Sequence, residues 1–487
     1  MFHFRWIRTS LHRRHRRSLH RRNLGQIGAG RASFSDLEDS PYNRKAAGEE
    51  PHPGPPRTRE NGEGRRPIDT RVRYPLFQQK GEAALKPLEG LKVVELARIL
   101  AGPWAGQILA DLGADVVKVE RPGAGDDTRV WGPPFLEGEN GEQLDSAYFH
   151  SCNRGKRSLA VDFENVEGQQ IIRKLAAGAD VLIENFKTGG LAKYGLDYSS
   201  LKAVNPKLVY CSITGFGHDG PYAARPGYDF IVQGMGGMMD LTGEPDGEPQ
   251  KAGVAVGDIF TGLYAVVAIQ AALARRAITG LGGEIDMALL DAQVAVLAYM
   301  ANNYFVSGRS PRRMGNAHPN LVPYQVFRAA DGPLIIATGN NRQSRDLCRI
   351  LGLEELADDP RYAANEDRVR NRGAFIAVVQ TAIERRERAG LLAALVAANV
   401  PAGPIYTIGE SFADPQVVAR KMRLDLPATG ARGGTAPAVR LPIILDGEAF
   451  AAATAAPRLG EHTEQVLTDL GLGATEIAAL RTRGIVG

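Results

Sequence analysis

Residues 88–123 read LEGLKVVELARILAGPWAGQILADLGADVVKVERPG, and the order of elements they encode decides the fold. KVVEL is rich in β-branched residues and predicts a strand. GPWAGQILADLG carries helical spacing and ends on a glycine suited to a helix C-terminus, and DVVKVE predicts a second strand. Strand, helix and strand in succession make a β-α-β unit, which implies parallel pairing through a right-handed crossover.

The alternation continues outward. RSLAVDF reads as a strand, EGQQIIRKLAAGA as a helix and DVLIENF as a strand, and PKLVYCSITGFG contains the continuous apolar run of a strand covered on both faces. The expected fold is therefore α/β, a doubly wound parallel-sheet large domain. After a long helix, GGEIDMALLDAQVAVLAYMANNYFVSG predicts a strand passing into a second long helix. RSPRRMGNAHPNLVPYQ is irregular, and beyond it a turn, a strand and three helices up to Ile405 predict a smaller α/β domain. LGEHTEQVLTDLGLGATEIAALRTRGIV is helical and expected to return to the large domain. The boundaries read as residues 1–84 for a basic tail, 85–305 for the first part of the large Rossmann-like domain, 306–415 for a linker and the small domain, and 416–487 for the returning segment.

Composition narrows the class. The chain has 487 residues, 44% of them hydrophobic, enough to bury more than one core. Its most apolar run, Gly262 to Ala274, is shorter than the roughly 20 residues a bilayer requires and reads as a core helix. Cys152, Cys211 and Cys348 form no CxxC pair, which suits a reducing compartment. Beyond residue 80 the histidines are His150, His218, His318 and His462, without HExxH or HxH grouping, so no metal is expected.

The net charge of +4 hides an asymmetry. Residues 1–80 hold 18 Lys and Arg against 8 Asp and Glu, and the remainder 41 against 47. A mildly acidic body argues against nucleic acid. The basic segment, acid-free before Asp36 and followed by Pro, Gly and charge, lacks the apolar surface that offsets ordering entropy. It reads as an unfolded extension, against the alternatives of a mitochondrial transit peptide and a nucleic-acid or membrane-surface arm. Cytoplasmic residence is expected, or the mitochondrial matrix if the tail is a transit peptide.

The familiar engines of such a sheet are missing. ARILAGPWAG lacks G-x-G-x-x-G, no G-x-S-x-G elbow occurs, and there is no P-loop. Arg121, after the second strand, suits a ribose phosphate, a group that NADP and coenzyme A share. One carboxylate stands out: in KAGVAVGDIFTGLYAVVAIQAALARR, residues 251–276, Asp258 is the only acid between Glu248 and Glu284. It precedes a long apolar helix, so it reads either as an N-cap or as a working carboxylate.

Longer motifs carry a resemblance. LAGPWAGQILADLGADVVKVERPGAGDDTRVWGPPF, NRGKRSLAVDF, ADVLIENFKTGGLAKYGLDY, LVYCSITGFGHDGPY and VGDIFTG resemble, in unbroken order from about residue 88, the class III CoA-transferases, the formyl-CoA and carnitine CoA-transferase family. ERPGAGDDTRVWGPPF, AHPNLVPYQVF and GNNRQ are most similar to its succinyl-CoA:glutarate CoA-transferase-like members. The resemblance implies an interlocked homodimer that takes a CoA thioester as substrate, without a prosthetic group or ATP, and a carboxylic acid as acceptor. It implies that Asp258 is the catalytic aspartate, attacking the donor thioester to give an aspartyl anhydride and then an aspartyl-CoA thioester. Family positions around CoA fall on Ile99, Leu100, Ala101, Arg121, Asn185, Phe186, Lys193 and Tyr228.

The sequence also departs from the family. Leu100 stands where formyl-CoA transferase has glutamine, and Ala317 to Asn320 replace its run of glycines. His318, Arg309, Arg312 and Arg313 are the candidates for the distal carboxylate of a dicarboxylate, since arginine offers a two-pronged fork. An isomerase of the α-methylacyl-CoA racemase type is an alternative within the same superfamily, but Tyr228 occupies its histidine position, and a phenol is too weak an acid to shuttle protons at neutral pH. A non-catalytic CoA-binding protein is the other alternative.

Overall fold

The computed structural model describes residues 86–487, and the basic tail expected over residues 1–84 lies outside them. The described residues open with β1 (Lys92–Glu95), α1 (Ala101–Asp111) and β2 (Asp115–Glu120). Pro103 sits in the first turn of α1, where a missing N–H costs nothing, and Gly113, at φ +106°, carries the chain out of the helix. A short hairpin follows, β3 (Phe135–Glu137) with β4 (Gln143–Ser146), and leads into α2 (Ala147–Cys152), which the Ser146 side chain caps. Next come β5 (Arg157–Ala160), α3 (Val166–Ala177), β6 (Val181–Glu184), α4 (Tyr198–Val204) and β7 (Val209–Thr214). α5 (Asp229–Met235), α6 (Met238–Leu241), α7 (Val256–Thr279) and β8 (Gly283–Ala288) complete this part.

Among the described residues, six strands pair in parallel in the order β5-β2-β1-β6-β7-β8. Strand order reverses between β1 and β6, so the loops at their carboxyl ends diverge and leave a crevice. Successive side chains point to opposite faces, and the strands exploit this. Val93, Val116, Val181 and Ile183 pack under α1 and α7 with Ala105, Leu109, Ala265 and Ile269. Val94, Val117 and Leu182 pack on the other face with Ile172 of α3 and with Val466, Leu467, Ile477 and Leu480 of the C-terminal helices Thr463–Asp469 and Ala474–Thr482. Both faces are covered, as the near-continuous apolar strands predict.

α7 is longer than its apolar run indicates. With 24 residues it is long and apolar enough to cross a bilayer by length and composition alone. Here Ala265, Ile269 and Ala272 face the sheet, while Gly262 brings α7 against the Ala101 carbonyl and Trp104 of α1.

The second long helix expected after β8 is broken. α8 (Leu289–Ala295) ends, the backbone turns through Ala298 at φ +46°, and α9 (Tyr299–Ser307) starts afresh. Beyond an irregular stretch, β9 (Tyr324–Ala329), β10 (Gly332–Ala337) and β11 (Ala402–Pro404) form an antiparallel sheet. Phe327, Leu334 and Ile336 of that sheet share a separate core with Leu347 of α10 (Asn341–Ile350) and with Phe375, Val379 and Leu395 of the helices that follow.

Candidate active site

The crevice between β1 and β6 is closed at its base by one side chain. Asn185 Oδ1 accepts the Arg98 N–H at 2.9 Å and its Nδ2 donates to the Arg98 carbonyl at 2.7 Å. Asn185, expected to touch CoA, has its amide committed to joining the loops after the two strands. Phe186 follows it, edge-on to Phe163 at 5.7 Å and facing the Arg98 guanidinium at 5.8 Å.

Opposite Asn185, Ile99 stands at φ +72°, a conformation β-branched residues avoid. It is held from below. Its N–H donates to both Asp126 oxygens at 3.2 Å, and Asp126 accepts Lys118 Nζ at 2.9 Å. Lys118 also meets Glu95 at 3.1 Å, and Lys156 meets Glu95 at 2.8 Å. These four charges are buried. Gly106 of α1 makes room for them, since a Cβ there would overlap the Glu95 carboxylate. Burial raises the Asp126 carboxyl, but the Lys118 charge and hydrogen bonds from Lys118 and Thr128 outweigh it and pull the pKa down to about 2. The strained loop therefore rests on a carboxylate that stays ionised. It delivers Leu100 and Ala101 to the start of α1, which has no side-chain cap, so its first N–H groups are available to a polar ligand atom.

Two cavities open over these loops. One, of about 380 Å³, is lined by Ile99, Leu100, Ala101, Asn185, Phe186, Tyr228 and Asp258 among others. The other, of about 370 Å³, is lined by Arg121, Lys193, Phe163, Asp127 and Tyr194. Arg98, Phe186 and Lys187 line both, so the cavities adjoin. The structure thus brings seven of the nine expected residues into one cavity and places Arg121 and Lys193 next door. Both of these cations are exposed: Arg121 lies 3.3 Å from Glu164, and Lys193 lies over the Tyr194 ring at 4.5 Å. No histidine lines the Asp258 cavity among the described residues.

Asp258 is not the N-cap of α7. Ala255 holds that position and Asp258 is the third helical residue. The capping is done by Asp229 of α5, whose Oδ1 accepts the Gly257 N–H at 2.8 Å. Gln233 holds Asp229 in turn, donating to Oδ2 at 2.7 Å while its own oxygen accepts the Ala252 N–H at 2.9 Å. Asp258 makes no hydrogen bond or ion pair among the described residues, and its carboxylate opens into the cavity. Burial, and next the Asp229 charge, push its pKa up to about 7. A helix start favours an ionised Asp258, but desolvation and a like charge outweigh it. The product is a carboxylate poised near neutrality and free of structural duty, as a nucleophile requires.

The residues proposed from sequence for a distal carboxylate lie elsewhere. Arg313 is paired with Asp240 at 2.9 Å. His318 stacks on Tyr299 at 5.3 Å and accepts the Asn320 N–H at 3.0 Å. Neither these two nor Arg309 and Arg312 line the Asp258 cavity. Sequence reasoning missed Asp229 as a partner of Asp258, and it missed Arg225, which lines the cavity. It also missed Tyr148, whose phenol is pushed up by burial and then by the Asp258 charge. The acidic residue next to Tyr228 was the one available signal for Asp229.

Comparison with known proteins points in one direction. The sequence profile described as CoA-transferase family III matches residues 88–463. The chain is 57% identical over 384 residues to a succinate–glutarate CoA-transferase of Agrobacterium fabrum, covering 79% of this chain and 96% of that protein. It is 42% identical over 405 residues to a succinyl-CoA:glutarate CoA-transferase of Homo sapiens, covering 82% and 90% respectively. A crystal structure of a CaiB/BaiF family protein from Brucella suis, 58% identical, matches with a TM-score of 0.70 over 79% of this chain and 99% of that one.

Proposed function

The chain belongs to CoA-transferase family III, and from that premise we propose that it moves CoA from succinyl-CoA, or another dicarboxylyl-CoA, to a dicarboxylic acid such as glutarate. The observation that carries the mechanism is Asp258, a carboxylate open to the cavity at the strand-order reversal and relieved of capping by Asp229.

The steps balance without ATP. The Asp258 carboxylate attacks the thioester carbonyl, expelling CoA thiolate and leaving a mixed anhydride on the side chain. The thiolate then attacks the aspartyl carbonyl of that anhydride, which releases the donor acid and leaves an aspartyl-CoA thioester. The acceptor carboxylate attacks this thioester, again expelling thiolate. Finally the thiolate takes the acceptor acyl group from the new anhydride and returns Asp258 as a free carboxylate. N–H groups at the start of α1 suit an oxyanion formed on the way. The nucleotide end of CoA suits the neighbouring cavity with Arg121 and Lys193, leaving its thiol end for Asp258.

Homodimerisation belongs to the same proposal. Phe260, Leu263, Tyr264 and Val267 are exposed on α7, and their spacing puts them on one helical face. An apolar stripe of this kind beside the site suits a second copy of the chain. Cytoplasmic residence is part of the proposal too, supported by three cysteines that are all free and buried.

Incubation of the purified chain with succinyl-CoA and a panel of acids tests the reading. Glutaryl-CoA should form without ATP, and mass spectrometry should find a CoA adduct on Asp258. Full activity in Asp258→Ala would sink the mechanism.

A further inference from the structure

Resting on the reading that CoA passes between dicarboxylic acids, we infer that Arg225 receives the carboxylate that does not react and so sets the preference for diacids over monoacids. A diacid brings two negative charges towards Asp258 and Asp229. Its distal carboxylate stays ionised through every step and requires a lasting cation at the acyl end of the site.

Among the described residues, three cations line the Asp258 cavity: Arg98, Lys187 and Arg225. Arg98 is paired with Asp127 at 2.7 Å, and both Arg98 and Lys187 also line the neighbouring cavity. Among the described residues, Arg225 is the one cation that lines the Asp258 cavity alone, and no carboxylate pairs with it.

Arg225 is held in place without its charge being neutralised. Its guanidinium lies 4.5 Å from the Tyr222 ring centre and 5.4 Å from that of Phe216, and the two rings meet edge-on at 5.6 Å. Stacking fixes the plane of the group, while the N–H edges remain available for a two-pronged contact with a carboxylate.

The loop that carries it is tied beside Arg225 and at its base. Thr188 Oγ1, from the loop after β6, donates to the Ala223 carbonyl at 3.2 Å, and the Arg225 N–H donates to the Tyr222 carbonyl at 2.8 Å. At its base Gly215 and Gly227 touch backbone to backbone: a Cβ on Gly215 would stand 2.4 Å from the Gly227 Cα. Arg225 is thereby fixed over the same cavity into which Asp258 opens.

The test compares glutarate with its monomethyl ester as acceptors from succinyl-CoA, or as competitive inhibitors where turnover is slow. The wild type, Arg225→Met and Arg225→Lys are assayed side by side, and the Kd for CoA is measured calorimetrically. Arg225→Met should lower the ratio of kcat/KM for glutarate to that for the monoester by about tenfold or more, mainly through KM. Arg225→Lys, which keeps the charge but loses the fork, should fall between. Equal losses for the two acceptors, or a loss of CoA affinity that accounts for the effect, would overturn the assignment. If Arg225→Met does not fold, an unchanged ratio in Arg225→Lys overturns it. A wild type that transfers CoA to no diacid refutes the proposed function instead, so the two failures are distinguishable.

Discussion

Replacing Asp258 with asparagine should make the protein more stable at pH 8 while abolishing transfer. The carboxyl is raised from an ordinary 3.8 to about 7, first by burial and then by Asp229. Between those values the folded chain binds the proton more tightly than the unfolded chain, so stability falls as pH rises through the window. The cost is absent below about pH 4 and complete above about pH 7. Three pH units at ~1.36 kcal/mol each give about 4 kcal/mol as an upper bound. The carboxylate opens to a cavity rather than lying in closed packing, and screening reduces the expected gain to about 1–3 kcal/mol. Urea midpoints of the wild type and Asp258→Asn, taken at one fixed protein concentration because association adds to apparent stability, measure it. The gap should be largest at pH 8 and less than half as large at pH 5. The opposite result, a less stable asparagine variant at pH 8, is what the helix-start reading demands, since losing a first-turn acid costs about 0.3–1 kcal/mol. That outcome would refute the account of Asp258 given above.

The same carboxyl governs the rate. Transfer should lose about tenfold for each pH unit below about 7, and Asp229→Asn, which removes the like charge, should move that acidic limb to lower pH in a kcat/KM profile. Lys118→Met leaves Glu95 and Asp126 buried around one fewer cation. It should cost about 3–5 kcal/mol in chemical denaturation and weaken CoA binding in calorimetry, because the Ile99 loop loses its support.

Much of the sheet was legible because the strands are covered on both faces and interrupted by helices with ordinary spacing. KVVE, DVVKVE and VYCSIT each form the strands their β-branched content predicts. The break at Ala298 was not legible. LLDAQVAVLAYM contains no glycine or proline, and its alanines and leucines favour continued helix, so tertiary packing overrides propensity there. For the site, long motifs pointed to Asp258 as the attacking carboxylate and to Ile99 and Asn185 beside CoA, but not to what holds each of them in place. The Asn185 staple, the Asp126 anchor under Ile99 and the Asp229 cap are all made between segments distant in sequence, where spacing carries no signal. The distal-carboxylate candidates lie outside the Asp258 cavity for a related reason. Arginines clustered at 309–313 catch the eye, whereas the described cations that line the cavity, Arg98, Lys187 and Arg225, stand singly in widely separated segments.

The short piece of chain around Arg225 has a consequence for how such an enzyme changes its diet. The Gly215–Gly227 neck closes a loop that holds Arg225, and two residues beyond it stands Asp229, which caps α7 and biases the acidity of Asp258. Recognition of the fuel and the temper of the nucleophile are thus inherited on one cassette of fifteen residues, 215–229. A lineage that trades this loop for another retunes both at once, so new acceptor ranges should arrive together with new working pH.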